Sequence, residues 1–433
     1  MAFPWRSRSS AASCRNRAGR GCARLWDSST VWPPPRERSR SPGGPPQGSS
    51  WRGCASGTRD LFVVFLVAGS PPGESLPDGD AQRRKVCNPG PKGAKGPPFK
   101  SAAASGPGAL CMKIALSPLE KFRAAGKFLD CTFNKRPLTV SIEVTKRCNA
   151  RCDFCDYWKI TDRDELTDFT DVVRRFDPLV VVFTGGEPML RRDLVPIVKS
   201  IKELPGFRYV TLLTHGGFLS EQKIKELVGV GVNQINISMN YPDARQDKER
   251  GIPGLFDRLH RTVPKMVRDG YNVFTFASML MVDNMHDAEP LIRLASSWGI
   301  NICFSGYNDL KNGNQAHFVS KAKMDEFRAV CRRIVELKRE LGNVMTSDYF
   351  FETLPTFYER REIGGCKAGK IMIHVTPKGM VQPCAELEPV AHYSEFLPGS
   401  YKGPNCGKCF DACRSEPQAP LTLRRLGELA GVL

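Results

Sequence analysis

Pro137-Leu-Thr-Val-Ser-Ile-Glu-Val-Thr-Lys-Arg-Cys148-Asn-Ala-Arg-Cys152-Asp-Phe-Cys155 runs from a strand-like segment into three cysteines spaced C-x3-C-x2-C. The first part alternates apolar and polar residues with period two, which predicts a β-strand over 138–144. Thiolates are the usual ligands of iron–sulfur clusters, and three of them leave one iron of a four-iron cluster open to an exogenous ligand. On spacing alone, a zinc knuckle or three packed thiols remain alternatives.

From this strand onward, short β-branched runs alternate with amphipathic stretches. Strands are predicted at 138–144, 179–184, 208–214, 233–238, 272–280 and 300–305. Helices are predicted near 165–176, 192–203, 220–229, 255–269 and 286–298, with Ser220 and Glu221 as one start and Gly270 as one stop. Such a β/α series implies a parallel sheet, either open and doubly wound or curved into a partial barrel. The unusual residues recur at the strand ends. Cys148, Cys152 and Cys155 follow the first strand, Gly185-Gly-Glu-Pro188 the second and Thr214-His-Gly-Gly217 the third; Ser238 and Asn240 close the fourth. Ligands of parallel α/β folds bind at the carboxyl ends of strands, so these features predict one site.

The net charge of +18 is uneven. Residues 1–111 contribute +11 and contain 15 of the 33 prolines, which leaves +7 for the other 322 residues. A basic excess that small on the larger part gives no reason to expect a nucleic-acid partner. Residues 1–111 are rich in Arg, Ser, Pro, Gly and Ala, and are expected to be a disordered basic extension. No methionine lies between Met1 and Met112, so an upstream mis-assigned start is one expectation and a native basic tail the other. The apolar run 61–68 is too short to span a bilayer. Clustered cysteines without a secretory signal point to metal binding in a reducing cytoplasm, and the short apolar run gives no reason to expect a membrane partner. Cys131, Cys303 and Cys331 stand apart and are expected to be packed thiols.

Cys366, Cys384, Cys406, Cys409 and Cys413 form a second constellation. Ile371 to Cys384 reads as a β-hairpin turning at Lys378-Gly379, which brings Cys366 and Cys384 together. Cys406-Gly-Lys-Cys409 supplies two more thiolates on a tight turn. Four thiolates so assembled suit zinc or an iron–sulfur cluster.

The first motif, with the Gly-Gly-Glu-Pro segment one strand later, resembles the radical SAM superfamily. C-x12-G-x4-C followed by C-x2-C resembles the SPASM and twitch extensions of those enzymes, the single-cluster twitch form more closely. The resemblance spans about residues 137–413. It implies a partial (β/α)6 TIM-like barrel over 112–345 and a small cysteine-rich twitch-like domain over 346–433. It further implies a 4Fe-4S cluster on Cys148, Cys152 and Cys155 whose open iron chelates S-adenosylmethionine. Reductive cleavage would yield a 5′-deoxyadenosyl radical, which abstracts hydrogen from a peptide or small-molecule substrate in an oxidation or maturation. By the same resemblance Gly185, Gly186, Glu187 and Pro188 meet the amino group of S-adenosylmethionine, and Phe154 lies near the adenine. Ser238 and Asn240 would meet its ribose and carboxylate or merely cap the strand. His215 stands where Asn is common in the family, as a donor or a solvent-facing turn residue. Glu143 would orient the cluster loop or satisfy polar groups there. An auxiliary 4Fe-4S cluster on Cys366, Cys384, Cys406 and Cys409, with Cys413 a substitute or spare, and a flavodoxin- or ferredoxin-type reductant complete the expectation. The alternative is an electron-transfer or sensing protein without radical turnover. Residues 306–309 and 349–351 are candidates to face the substrate.

Overall fold

The computed structural model describes residues 116–162, 165–399, 401, 406–420, 422, 423 and 425. The expected extension 1–111 lies outside the described residues. Nine strands form one sheet: β1 Thr139–Thr145, β2 Val180–Gly185, β3 Tyr209–Thr214, β4 Gln234–Ser238, β5 Phe274–Leu280, β6 Asn301–Gly306, β7 Met372–Val375, β8 Met380–Gln382 and β9 Ala391–His392. Among the described residues ten α-helices accompany them: α1 Pro118–Phe133, α2 Thr170–Phe176, α3 Leu194–Lys202, α4 Glu221–Gly229, α5 Arg245–Arg250, α6 Leu255–Arg268, α7 Ala288–Ser297, α8 Met324–Leu341, α9 Asp348–Arg360 and α10 Ala412–Gln418.

The sheet order is β6-β5-β4-β3-β2-β1-β7-β8-β9. The first six strands are parallel neighbours in strict chain order. A doubly wound sheet would reverse its order at a switch point. None occurs, so the fold is the partial barrel, α/β with its helices outside. β6 does not pair with β1; β7 instead joins the free edge of β1 in parallel, and β8 and β9 follow antiparallel. At the other edge, a β-carbon on Gly306 would lie 2.5 Å from the Phe410 carbonyl. The C-terminal segment thus reaches both edges of the six-stranded sheet.

Strand alternation separates two environments. Val140, Ile142, Val144, Val181, Phe183, Val210, Leu212, Ile235, Ile237, Phe276, Ile302 and Phe304 are buried in the main core. The opposite face carries smaller or polar groups, and Val182, Thr184, Leu213, Asn236, Ser238, Ala277, Met279, Cys303 and Ser305 there stay half-buried. That face lines the barrel interior. α1, begun by a Ser117/Glu120 capping box, covers Leu138, Leu179, Val180 and Tyr209 at the far end of the sheet. Among the described residues no helix is long and apolar enough to cross a membrane.

Candidate functional site

The second strand's turn is laced to the cysteine loop. Gly186 N–H donates to the Thr145 carbonyl and Glu187 N–H to the Arg147 carbonyl, each at 2.8 Å. Gly185 has φ +137°, and a β-carbon there would sit 2.1 Å from the Thr145 oxygen; one on Gly186 would sit 2.2 Å from the Arg147 oxygen. Only glycine allows two backbones to pass so closely. Pro188 is buried at the start of the short helical turn that follows.

Glu187 is fully buried. Its carboxylate accepts from Met189 N–H at 3.0 Å, Thr214 Oγ1 at 2.8 Å and His215 N–H at 2.9 Å. The side chain therefore ties the turn to the end of β3. His215 is buried, which removes the solvent-facing reading. Its Nδ1 accepts from Gly217 N–H, so Nε2 carries the proton toward Asn149 Oδ1 at 2.9 Å. Burial lowers the His215 pKa, with Glu187 opposing, and keeps the ring neutral at pH 7. Asn149 follows Cys148 and is exposed, so a network running from the buried Glu187 and His215 out to the surface joins the cysteine loop, the glycine turn and β3.

Ser238 ends β4 half-buried, and its carbonyl accepts from Gln246 at 3.0 Å. Asn240 is buried; its amide donates to Glu249 at 2.8 Å and accepts from Met279 N–H at 2.9 Å. Both its groups are engaged by the protein, one on α5 and one on β5. Beyond it α5 delivers Arg250, buried, whose Nη1 lies 3.4 Å from Cys152 Sγ and whose guanidinium is 5.4 Å from the Phe154 ring centroid. Glu249 stands 3.2 Å from its Nε.

Glu143, on the interior face of β1, is buried with Oε1 unpartnered. His374 Nε2, on β7, lies 3.8 Å from its other oxygen. Burial would raise the Glu143 pKa, but His374, Tyr157 and Lys146 more than offset it and hold the carboxyl below its ordinary value.

Cys148, Cys152 and Cys155 are free thiols on one loop, the donor chemistry that a metal group needs. Burial pushes the Cys148 thiol up to about 11, with Glu187, Cys152 and Cys155 adding to the rise, and raises Cys155 as well. Crowded thiols of this kind ionise only when a cation accepts their charge. Cys366, Cys384, Cys406 and Cys409 line one small cavity together with Glu386, Asp411, Arg414 and Tyr401. Burial raises the Cys366, Cys384 and Cys409 thiols too. Cys413 is exposed on α10 and does not line this cavity. Among the described residues no three His, Cys, Asp or Glu side chains already stand in a single-ion coordination sphere. Cys131 and Cys331 are buried, and Cys303 is half-buried on β6.

Three of the substrate-facing candidates are core residues. Tyr307, Phe350 and Phe351 belong to the core: Phe350 stacks on Phe410 at 5.7 Å, and Phe351 packs edge-on to Phe304 at 5.8 Å. Their bulk and apolarity favour burial over display. Sequence reasoning also passed over Arg250, Arg414 and Lys311. Arg414, buried in α10, donates to the Cys409 carbonyl and has Nη1 4.0 Å from its Sγ. Gly251 was the available signal for Arg250, because it stops α5 at that residue; nothing in the sequence marks the other two.

Residues 142–295 match the family described as the radical SAM superfamily. The chain is 28% identical over 275 residues to the PqqA peptide cyclase of Bradyrhizobium diazoefficiens, covering 59% of this chain and 68% of that protein. It is 26% identical over 234 residues to the GTP 3′,8-cyclase of Aquifex aeolicus, covering 51% of this chain and 68% of that protein. The structure is similar to that of Streptococcus suis SuiB bound to S-adenosylmethionine, with TM-score 0.50 and 15% identity over 65% of this chain and 70% of SuiB. The fold is a radical SAM fold.

Proposed function

We propose that this chain is a radical SAM enzyme that binds S-adenosylmethionine at a 4Fe-4S cluster on Cys148, Cys152 and Cys155. A cluster bound there supplies the electron for reductive cleavage of S-adenosylmethionine. The single observation that carries the reading is the lacing of Gly185 and Gly186 onto the backbone of Thr145 and Arg147, beside three free thiols. Because the Glu187 carboxylate is occupied by protein donors, the turn's backbone carbonyls meet the ligand's amino group. Ser238, half-buried at the end of β4, is the freer of the two strand-end groups to hold the ribose. Phe154 flanks the adenine, and the buried Arg250 favours the Cys152 thiolate.

The C-terminal cavity holds a second, auxiliary cluster on Cys366, Cys384, Cys406 and Cys409, with Cys413 spare. The named relatives act on a peptide and on GTP; a peptide substrate is favoured here because the peptide relative matches more of the chain. The reaction is an oxidation or maturation, and the electron comes from a flavodoxin- or ferredoxin-type donor in the cytoplasm. Reconstituting the full chain without oxygen and measuring 5′-deoxyadenosine released from S-adenosylmethionine tests the reading. Release in the parent and none in Cys148→Ala is expected. A fully clustered parent that releases none with any offered reductant and peptide overturns it.

A further inference from the structure

Between β6 and α8 the chain makes an excursion over residues 307–323, and this loop touches both cysteine sites. On one flank Asn312 Nδ2 donates to the Asp153 carbonyl at 2.8 Å, inside the Cys152–Cys155 segment. His317 Nε2 lies 3.4 Å from the Asp153 carboxylate, and its ring meets Phe154 edge-on at 6.1 Å. On the other flank Leu310 lines the four-cysteine cavity.

Lys311 reaches both. Its ammonium is 4.9 Å from the Tyr157 ring centroid, two residues past Cys155. The same ammonium is 3.4 Å from Glu386 Oε1 and 3.5 Å from the Ala385 carbonyl, immediately beyond Cys384. Each site also has a cation of its own: Arg250 against Cys152 and Arg414 against Cys409. Lys311 stands between them and serves neither alone.

Resting on the two-cluster reading above, we propose that Lys311 is a positioning residue shared by the two cysteine sites. The loop fixes the spacing of the sites, and the ammonium offsets negative charge at both. Reducing a thiolate-bound cluster adds an electron to a centre that is already anionic. A fixed positive charge nearby therefore favours the reduced form, the more strongly in a water-poor interior. One residue would then hold both centres within a range where a reductant can charge each of them.

The test is a redox titration of the full chain carrying both clusters, followed by electron paramagnetic resonance, for the parent, Lys311→Met and Lys311→Arg. Methionine keeps the length of the side chain and removes its charge; arginine restores the charge. In Lys311→Met, the ratio of reduced to oxidised cluster at the parent midpoint is expected to fall about tenfold at both centres, which is about 59 mV for one electron. Lys311→Arg is expected to recover the parent value at both. Unmoved potentials overturn the proposal, and so does a shift at one centre only, which would make Lys311 a local contact. Should Lys311→Met fail to load, Glu386→Gln decides. It removes the anion paired with Lys311, so both potentials should rise, and no rise overturns the proposal. A parent that takes up iron only at the first site overturns the two-cluster reading as well. A parent with two clusters and unmoved variants overturns this inference alone.

Discussion

Arg250 Nη1 lies 3.4 Å from Cys152 Sγ, and both residues are buried. The guanidinium also faces the Glu249 carboxylate at 3.2 Å, so it is the positive member of a buried triad with a thiol and an acid. Replacing it with methionine strips the cation and leaves Glu249 buried without its charge partner. Arg250→Met is expected to destabilise the chain by about 3 kcal/mol, the cost of orphaning one partner of a buried pair. It should also speed iron loss from the first site under a chelator, because the Cys152 thiolate loses its counter-charge. Urea unfolding and chelator-chase absorbance measure the two effects. Parent-like iron retention would show that the Arg250–Cys152 contact is incidental.

Gly186 and Gly126 make a controlled pair. A β-carbon on Gly186 meets the backbone oxygen of Arg147 at 2.2 Å, whereas one on Gly126 in α1 meets nothing within 4 Å. Gly186→Ala must push apart the glycine turn and the cysteine loop, at a cost of about 3 kcal/mol. It is also expected to abolish measurable S-adenosylmethionine binding by calorimetry. Gly126→Ala should stabilise the same chain by up to about 1 kcal/mol, since alanine is the better helix former. Intact binding in Gly186→Ala would mean that the two loops can move apart without losing the site.

Much of this architecture is legible in the sequence because it is local. The six β-branched runs lie within one or two residues of β1 to β6, and the hairpin at Lys378-Gly379 forms as β7 and β8. The cysteine and glycine motifs are legible for the same reason: their chemistry depends on spacing along the chain. Barrel versus doubly wound sheet was not legible, because strand order is set by which edges meet far apart in sequence; the strictly sequential order of β1 to β6 decides it. Nor was the attachment of β7 to β1, which joins residues more than two hundred positions apart. The cations follow the same logic. The α5 sequence from Arg245 to Arg250 is wholly polar, yet Arg250 is buried by a loop it meets only in the folded chain. The helices α8 and α9 are a different case. Their apolar periodicity is present in the sequence, but no element is predicted between β6 and the hairpin.

Asp177 supplies a pH signature away from the site. It closes α2 at φ +43°, and its carboxylate meets Lys127, Arg136 Nη1 at 2.8 Å and Arg208 Nη2 at 2.9 Å. Burial would raise its pKa, but the three cations more than offset that and hold it below the ordinary carboxylate value. A depressed native pKa means stability that is present above the unfolded value, about 3.9, and lost as the pH falls through the native one. Asparagine tolerates the left-handed backbone, so Asp177→Asn removes the charge alone. The variant is expected to be about 2 kcal/mol less stable at pH 7 and to converge with the parent once the pH falls below the depressed native pKa. Urea midpoints measured across this range check it; parallel curves would show that the carboxylate is not depressed.

Cys384 and Cys413 separate cavity thiols from bystanders. Cys384 lines the C-terminal cavity with Cys366, Cys406 and Cys409, whereas Cys413 is exposed outside it. If the cavity holds a four-iron cluster, Cys384→Ala should lose about four irons per chain, and Cys413→Ala should lose none. On the proposed reading the remaining iron of Cys384→Ala would sit on Cys148, Cys152 and Cys155, so slow release of 5′-deoxyadenosine should persist without product formation. Anaerobic iron and sulfide analysis of the reconstituted variants reads the first effect, and chromatography of the nucleoside reads the second. Loss of about one zinc in Cys384→Ala, with iron unchanged, would instead make the cavity a structural zinc site. Equal iron loss in both variants would bring Cys413 into the ligand set in place of a cavity thiol, with the turn at Cys406 and Cys409 rearranged to admit it.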